Sequence, residues 1–357
     1  MTEIGEILNI AIQTGGSDVF IIPGTRVCIK VSGAVQPMMQ DAVLKPDDTR
    51  RLIKQVYELD GRDMARLLDH GDDDFSFSVS GVGRFRCNAY KQRNSLAMVL
   101  RIVSLNLPDP EAMHIPKEVL DLSTVKKGLV LVTGPAASGK STTLACVIDR
   151  INASRSGHII TIEDPIEFIH PHKRSVVSQR EIEHDTDSYQ SALRAALRQA
   201  PDVILLGEMR DFDTIQTALT AAETGQLVLS TLHTVGAAKT IDRIIDVFPA
   251  NQQQQIRVQL SMVLRAVVSQ QLLPTLDGCL EPAFEIMLAN SAIQNMIRDG
   301  KAHQMDNVIF SGMEDGMRSM DADIFRLYEA GRISAETARL YASNQEMMKK
   351  KFAGYKS

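Results

Sequence analysis

A glycine-rich segment near the middle of the chain most constrains what this sequence can fold into. Residues 128–133, Gly-Leu-Val-Leu-Val-Thr, form a short apolar run that predicts a strand buried on both faces. Residues 134–141, Gly-Pro-Ala-Ala-Ser-Gly-Lys-Ser, match the pattern G-x-x-x-x-G-K-S. Apolar residues then recur at helical spacing from Leu144 to Ile151. The order strand, glycine loop and helix predicts a nucleotide site.

Each residue type in this loop has a physical role. Gly134 and Gly139 permit backbone angles that a side chain forbids, so successive N–H groups can surround a phosphate. The helix N-terminus adds a partial positive charge. Lys140 is predicted to bridge the β- and γ-phosphates, and the Ser141 hydroxyl to ligate Mg²⁺. The candidate ATP-binding residues are Gly134, Pro135, Ala136, Ala137, Ser138, Gly139, Lys140, Ser141 and Thr142.

Composition narrows the class of protein further. The 357 residues are 44% hydrophobic, which suffices for two packed domains. No apolar run is long enough to cross a bilayer, and the first ten residues lack the features of a signal peptide, so a cytoplasmic location is expected. The four scattered cysteines form no C-x-x-C pair, so neither a zinc site nor a disulfide framework is predicted. The net charge of −5 argues against a protein that mainly grips nucleic acid.

The first 106 residues predict a small α+β domain with an antiparallel sheet. Helices are expected at residues 1–14 and 46–68, and alternating apolar patterns predict strands before, between and after them. Two prolines in Leu107-Pro-Asp-Pro110 and a third at position 116 predict an extended linker over residues 107–117.

After this linker the pattern predicts strands that alternate with helices. The strands are expected at 128–133, 158–162, 202–206 and 226–231, and such alternation indicates a parallel sheet covered on both sides. From about residue 252 the pattern predicts mostly helices, at 252–273, 290–300, 319–330 and 333–349. These features give an α/β core domain at 118–289 and a C-terminal helical region at 290–357.

Acidic residues follow two of the predicted strands. One strand runs into Glu163-Asp164-Pro165 and another into Gly207-Glu208. Ligands of an open parallel sheet bind beyond the carboxyl ends of its strands. A hydrolase needs one group that orients or deprotonates the attacking water and one that holds the Mg²⁺ shell, and these acids are candidates for both. The alternative is an Asp-Pro cap and a solvated glutamate.

A further strand ends in polar residues. Thr231 and His233 come where the strand at 226–231 should emerge beside a bound γ-phosphate. A histidine at such a place either makes a structural hydrogen bond or senses the γ-phosphate and relays its loss.

Several segments resemble motifs of the secretion ATPase superfamily. They are Thr161–Phe168 (the Asp box), Pro201–Asp211 (Walker B), Thr224–Thr234 (the His box), the arginine segments Gly83–Asn88, Gln92–Arg93 and Leu100–Ile102, and Ala292–Lys301 near the C-terminus. The last is similar to the A-I-R-x-x-I-R-E-G-K element of the PilT branch, the type IV pilus retraction ATPases. Assembly ATPases of the superfamily usually have extra N-terminal domains and a tetracysteine zinc insertion, and this sequence has neither.

This resemblance implies both a fold and an oligomeric ATPase assembly. The fold is a PAS-like N-terminal α+β domain followed by a RecA-like P-loop NTPase domain with a helical C-terminal extension. The assembly is a homohexameric ring that hydrolyses ATP with Mg²⁺ at subunit interfaces to power pilus retraction. It is expected at the inner face of the cytoplasmic membrane, associated through an inner-membrane platform protein (PilC-like), with no nucleic acid partner.

The resemblance also implies roles for particular residues. Glu163 corresponds to the catalytic glutamate that polarises water, and Glu208 to the Walker B acid that holds Mg²⁺, partly through water. His233 corresponds to the His-box contact. Arg86 and Arg101 correspond to arginines that stabilise the charge on the transferred phosphate, with Arg93 as a third candidate.

Three residues depart from the family pattern. Gln226 replaces the first histidine of the His box, Gln294 replaces the first arginine of the C-terminal element, and Asp299 replaces its glutamate, while Arg298 is kept. Other functions therefore stay open: a sister motor for pilus assembly, type II or type IV secretion or DNA uptake, or a nucleotide-binding modulator of a paralogous motor.

Overall fold

The computed structural model describes residues 3–31, 33–38, 42–103 and 107–355. The last residues of the predicted first domain, 104–106, lie outside this set, as do residues 1–2, 356 and 357. The chain divides into two units, one of Met1–Asn106 with Glu167–Ile169, the other of Leu107–Ile166 with His170–Ser357. In the described parts of the chain, no helix has the length and apolar character needed to span a membrane.

The first unit is built on a six-stranded antiparallel sheet with the strand order β3-β2-β1-β6-β5-β4. Its elements are α1 (Ile4–Gln13), β1 (Asp18–Ile21), β2 (Cys28–Val31), β3 (Ala34–Pro37), α2 (Pro46–Asp60), α3 (Ala65–His70), β4 (Asp72–Val79), β5 (Gly83–Gln92) and β6 (Ser95–Val103). The helices and one face of the sheet share a single apolar core. The predicted helix at 46–68 is two helices, because α2 ends at Gly61, which has a positive φ of 71°.

The second unit begins at Leu107 and contains the rest of the elements. They are α4 (Lys117–Leu120), β7 (Gly128–Thr133), α5 (Lys140–Ser154), β8 (His158–Glu163), β9 (Val176–Glu181), α6 (Tyr189–Ala196), β10 (Val203–Leu206), α7 (Phe212–Thr224), β11 (Leu227–Leu232), α8 (Ala237–Asp246), α9 (Ala250–Val263), β12 (Leu264–Pro274), β13 (Leu280–Leu288), α10 (Ser291–Arg298), α11 (Met305–Ser311), α12 (Met320–Glu329), α13 (Ala335–Tyr341) and α14 (Gln345–Tyr355).

The sheet of the second unit has seven strands in the order β13-β12-β7-β11-β10-β8-β9. Neighbouring strands pair in parallel except β12 and β13, which are antiparallel. Alternate residues of β7 enter different apolar cores: Leu129 and Leu131 belong to one, and Val130 and Val132 to the other. Both faces of the sheet are therefore covered, as predicted for a parallel sheet.

The predicted helix at 252–273 is wrong over its second half. The helix α9 ends at Val263, and the chain continues as strand β12, which pairs in parallel with β7. Residues 264–268, Leu-Arg-Ala-Val-Val, are almost wholly buried. Periodicity cannot separate a helix from a strand in a short apolar run. The two consecutive valines are β-branched, and this favours a strand over a helix here. Strands β9 and β13 were not predicted from the sequence either.

Candidate functional site

The glycine loop joins β7 to α5 with the geometry that its motif predicts. Gly134 has φ of 146°, Ala137 of 60° and Gly139 of 88°, and the helix begins at Lys140. Left-handed residues between right-handed ones turn successive N–H groups toward one concave side of the chain. The loop therefore presents backbone donors beside the N-terminus of a 15-residue helix.

A residue that the sequence analysis missed lies directly under this loop. A Cβ at Gly134 would stand 2.1 Å from the backbone oxygen of Gln270, and a Cβ at Gly139 would stand 2.8 Å from its Nε2. The Oε1 of Gln270 accepts a hydrogen bond of 2.8 Å from Thr143 Oγ1 in α5. Gln270 falls within the segment that was wrongly predicted as a helix. It belongs to β12, which pairs with β7. It fixes the loop against the sheet.

Several polar atoms of the loop suit a phosphate. Lys140 is only 8% exposed, and its Nζ donates to the carbonyl oxygens of Gly134 (3.0 Å) and Pro135 (2.8 Å). The buried hydroxyls of Ser138 and Thr133 make no hydrogen bond within the described residues. Buried hydroxyls are rarely left without a partner, so these two atoms indicate a missing polar ligand. The residues of the loop fit a nucleotide triphosphate.

The strand order places the other candidate residues along the same edge of the sheet. From β7 outward come β11, which precedes His233, then β10, which precedes Glu208, then β8, which ends at Glu163. Backbone hydrogen bonds continue past the strand ends, from Gly207 to Ile162 (2.8 Å) among others. At about 4.8 Å per strand, Glu163 lies about 14 Å across the sheet from β7. A ligand that contacts both the phosphate loop and Glu163 would have to extend along this edge of the sheet.

Glu208 and His233 are brought into contact. Glu208 Oε2 lies 3.3 Å from His233 Nε2 and 2.7 Å from Arg210 Nε, and the Glu208 side chain is 14% exposed. Thr231 Oγ1 donates a hydrogen bond of 2.5 Å to the carbonyl oxygen of Gly207. The ends of two neighbouring strands are therefore joined by a contact between His233 and Glu208. A cavity of about 410 Å³ is lined by Glu208, Arg210, Thr231 and His233, among other residues.

A second residue that the sequence analysis missed is Tyr189 at the start of α6. A Cβ at Gly207 would stand 2.7 Å from its hydroxyl oxygen. Burial raises the pKa of Tyr189, and the charges of Asp164, Glu208 and Glu163 raise it further. The hydroxyl thus stays protonated close to Gly207 and acts as a neutral hydrogen-bonding group. Nothing in the local sequence around Tyr189 indicates this placement.

Comparisons with known proteins agree with this geometry. The family described as type II/IV secretion system protein matches residues 2–354. The chain belongs to this family. The type IV pilus retraction ATPase PilT of Pseudomonas aeruginosa is 43% identical over 341 residues, 94% of this chain and 97% of that protein. The type IV pilus ATPase PilU of the same organism is 40% identical over 344 residues, 96% of this chain and 89% of that protein.

A solved structure supports the same assignment. The crystal structure of the pilus retraction motor PilT with bound ADP superposes with a TM-score of 0.90 at 43% identity, covering 98% of this chain and 100% of that one. The predicted resemblance to PilT-type secretion ATPases is confirmed, as is the predicted fold class of a PAS-like domain followed by a RecA-like ATPase domain.

The arginines that the family pattern singles out lie in the first unit. Arg86 on β5 and Arg101 on β6 are direct cross-strand partners, and both side chains are exposed on the face opposite the core. Arg101 Nε donates to Asp18 Oδ1 at 3.0 Å. Like charges directly opposite each other weaken a sheet, and the ion pair of Arg101 with Asp18 offsets part of that cost. Arg93 lies in the turn between β5 and β6 with φ of 45°.

At the His box and the C-terminal element, the residues of this chain that depart from the family pattern do not lie in the phosphate loop. Gln226 precedes β11, at the strand end opposite to His233, and its Oε1 accepts from Thr224 Oγ1 at 2.9 Å. Gln294 lies half-buried on α10, and Arg298 Nη1 contacts Asn295 Oδ1 at 3.4 Å. Among the described residues, the hydrogen bonds and ion pairs that these side chains make are with residues other than the predicted ATP-binding ones.

Proposed function

We propose that this chain is a Mg²⁺-dependent ATPase motor that powers type IV pilus retraction and thereby twitching motility. The observation that supports this most strongly is 43% identity to PilT over 94% of the chain, combined with a phosphate loop whose buried hydroxyls lack partners in the described residues. The prediction of a pilus retraction ATPase agrees with the names of these relatives.

The loop residues Gly134 to Thr142 would hold the phosphates of ATP. Lys140 Nζ, which contacts the carbonyl oxygens of Gly134 and Pro135, would bind oxygens of the β- and γ-phosphates. The Ser141 hydroxyl would ligate Mg²⁺, and Glu208 would hold the ion's hydration shell, partly through water. When bound, MgATP supplies the phosphoryl group and the charge neutralisation for the reaction.

Glu163 is the residue that we assign to the attacking water. Its carboxylate accepts a hydrogen bond from that water and takes up its proton as the water oxygen bonds to the γ-phosphorus. The bond between this phosphorus and the bridging oxygen breaks, and ADP leaves with the electron pair. His233, in contact with Glu208, would detect loss of the γ-phosphate through the change in charge beside that acid.

We further propose that the site is completed by a second copy of the chain in a homohexamer. Arg86 and Arg101, with Arg93, would reach the phosphates of the neighbouring protomer and balance their charge. The ring would act in the cytoplasm at the inner face of the membrane, through a PilC-like platform protein. Residues 107–117 would then connect the two moving domains, with 118–289 as the ATPase core and 290–357 as its C-terminal region.

The decisive experiment measures steady-state ATP hydrolysis with and without Mg²⁺. Wild-type protein is compared with Lys140→Ala, Glu163→Gln and a surface control, Lys349→Ala, whose side chain pairs only with Glu346 in the described chain. The first two variants should lose activity by about 10²-fold or more, and the control should not. Wild-type turnover in either site variant would refute the assignment of the site.

The similarity to PilU supports a second candidate function. At 40% identity over 96% of this chain, PilU is nearly as similar as PilT, and its name gives a type IV pilus ATPase without naming retraction. The second candidate is therefore a pilus ATPase that is not itself the retraction motor and that modulates a paralogous motor. Deleting the gene separates the two functions. Loss of a retraction motor leaves more surface pili and no twitching, whereas loss of an assisting ATPase leaves retraction running on the paralogue.

A further inference from the structure

The carboxylate of Glu163 is held by two side chains to which no role has been assigned so far. Glu163 Oε1 accepts a hydrogen bond of 2.7 Å from Thr161 Oγ1 and one of 3.3 Å from Gln179 Nε2. Thr161 on β8 and Gln179 on β9 are register partners in the parallel pair, so their side chains stand next to each other on one face of the sheet. Two donors from two strands thus converge on one carboxylate oxygen.

The orientation of the Gln179 amide is fixed from its other side. Its Oε1 accepts the backbone N–H of His170 at 2.8 Å, so the Nε2 group must point toward Glu163. Thr161 is wholly buried, and the single proton of its hydroxyl is donated to the same carboxylate. The Gln179 amide is therefore constrained by a contact other than the one with Glu163, and the Thr161 side chain is constrained by its burial.

We infer that Thr161 and Gln179 are positioning residues that aim the Glu163 carboxylate at the attacking water. This inference depends on the role proposed for Glu163. The terminal torsion of a glutamate is broad, so an untethered carboxylate would sample many orientations. Two donors on Oε1, one from each strand, restrict these orientations. A displacement of about 1 Å in such a group can cost about 10²-fold in rate.

The two residues differ from ordinary structural residues in what their removal should change. The pairing of β8 with β9 is made by the backbone, and valine in place of Thr161 keeps a β-branched shape at that buried position. The nucleotide is held by the phosphate loop after β7, which lies three strands away in the sheet. Loss of the hydroxyl should therefore slow the chemical step and leave nucleotide binding intact.

The test compares Thr161→Val, Thr161→Ser and Gln179→Met in the full-length protein. We expect kcat to fall about 10- to 100-fold for Thr161→Val and Gln179→Met, with KM for ATP and ADP affinity within about threefold of wild type. Thr161→Ser restores a donor at the same place and should recover most of kcat. The matched control is Ser178→Ala, since that hydroxyl lies next to Gln179 on β9 but contacts His158 instead.

Three results would overturn the inference. They are a wild-type kcat in Thr161→Val and Gln179→Met, an equal loss in Thr161→Ser and Thr161→Val, or a loss that appears in ADP affinity rather than kcat. The proposed function fails on different evidence, namely an inactive wild-type protein or a Glu163→Gln variant that keeps its turnover. The two failures can therefore be told apart in one series of assays.

Discussion

Gly134 is the residue at which the fold of the nucleotide loop can be tested most sharply. It is the first residue after β7, has a φ of 146°, and packs against the backbone of β12. We predict that Gly134→Ala abolishes nucleotide binding while leaving the chain folded. The added methyl group would meet the carbonyl oxygen of Gln270 at 2.1 Å and the hydroxyl of Ser138 at 2.7 Å.

The magnitude follows from these two distances and from the backbone angle. A Cβ at a strongly positive φ costs about 1–3 kcal/mol of conformational strain. To restore van der Waals contact, the loop or β12 must also move by about 1 Å, which at a preorganised site costs about 10²-fold in binding or rate. The closest contact is with the backbone of Gln270, so no side-chain rotation can relieve it. Affinity for ADP should therefore fall by about two orders of magnitude or more.

Gly225→Ala provides the matched control. Gly225 also has a strongly positive φ, of 119°, but a Cβ there would meet no atom within 4 Å. Both variants should lower the thermal unfolding midpoint through backbone strain, and only Gly134→Ala should lose ADP affinity in a calorimetric titration. If Gly134→Ala binds ADP as tightly as Gly225→Ala, the steric account of the loop is wrong.

Two further predictions concern stability. Asp323 is buried and accepts the N–H of Phe284 at 2.9 Å as well as bonds from two arginines, so Asp323→Ala should cost about 3 kcal/mol and lower the unfolding midpoint by about 6–12 °C. The exposed Asp299→Ala should cost under about 0.5 kcal/mol, and an equal shift would contradict the argument. Burial lowers the pKa of His170 to about 4, so the neutral form is favoured in the fold, and about 3 kcal/mol of stability should be lost as pH falls from 6.5 toward 4. Urea titrations should show this pH dependence in the wild type and a weaker one in His170→Gln.

The local parts of the site could be predicted from the sequence because their chemistry is local. The strand, glycine loop and helix around Lys140 are fixed by about twenty consecutive residues, and the loop has the positive φ values that the motif implies. The acids at positions 163 and 208 were placed correctly at strand ends, since a short apolar strand followed by a polar residue needs no long-range information.

The residues that were not predicted contact segments that are distant in sequence. Gln270 braces the phosphate loop from a strand 127 residues beyond Thr143 in sequence, and the strand itself was predicted as a helix. Tyr189 and Gln179 reach the acids only because β8, β9 and β10 are neighbours in the sheet. No periodicity in one segment encodes which distant segment will pack against it. Because β12 was predicted as a helix, Gln270 was not predicted to lie beside the phosphate loop.

For Gln226, in contrast, the sequence pattern indicated a functional effect that the structure does not support. Replacing a family histidine with glutamine raised the alternative of a chain that binds nucleotide without working as a motor. In the structure, Gln226 precedes β11 and His233 follows it, so the two are separated by the whole six-residue strand, about 20 Å. Glutamine there can hydrogen-bond with Thr224 but cannot reach a phosphate held by the loop that follows β7, at the opposite edge of the sheet. The substitution therefore gives no reason, within one chain, to expect a loss of hydrolysis.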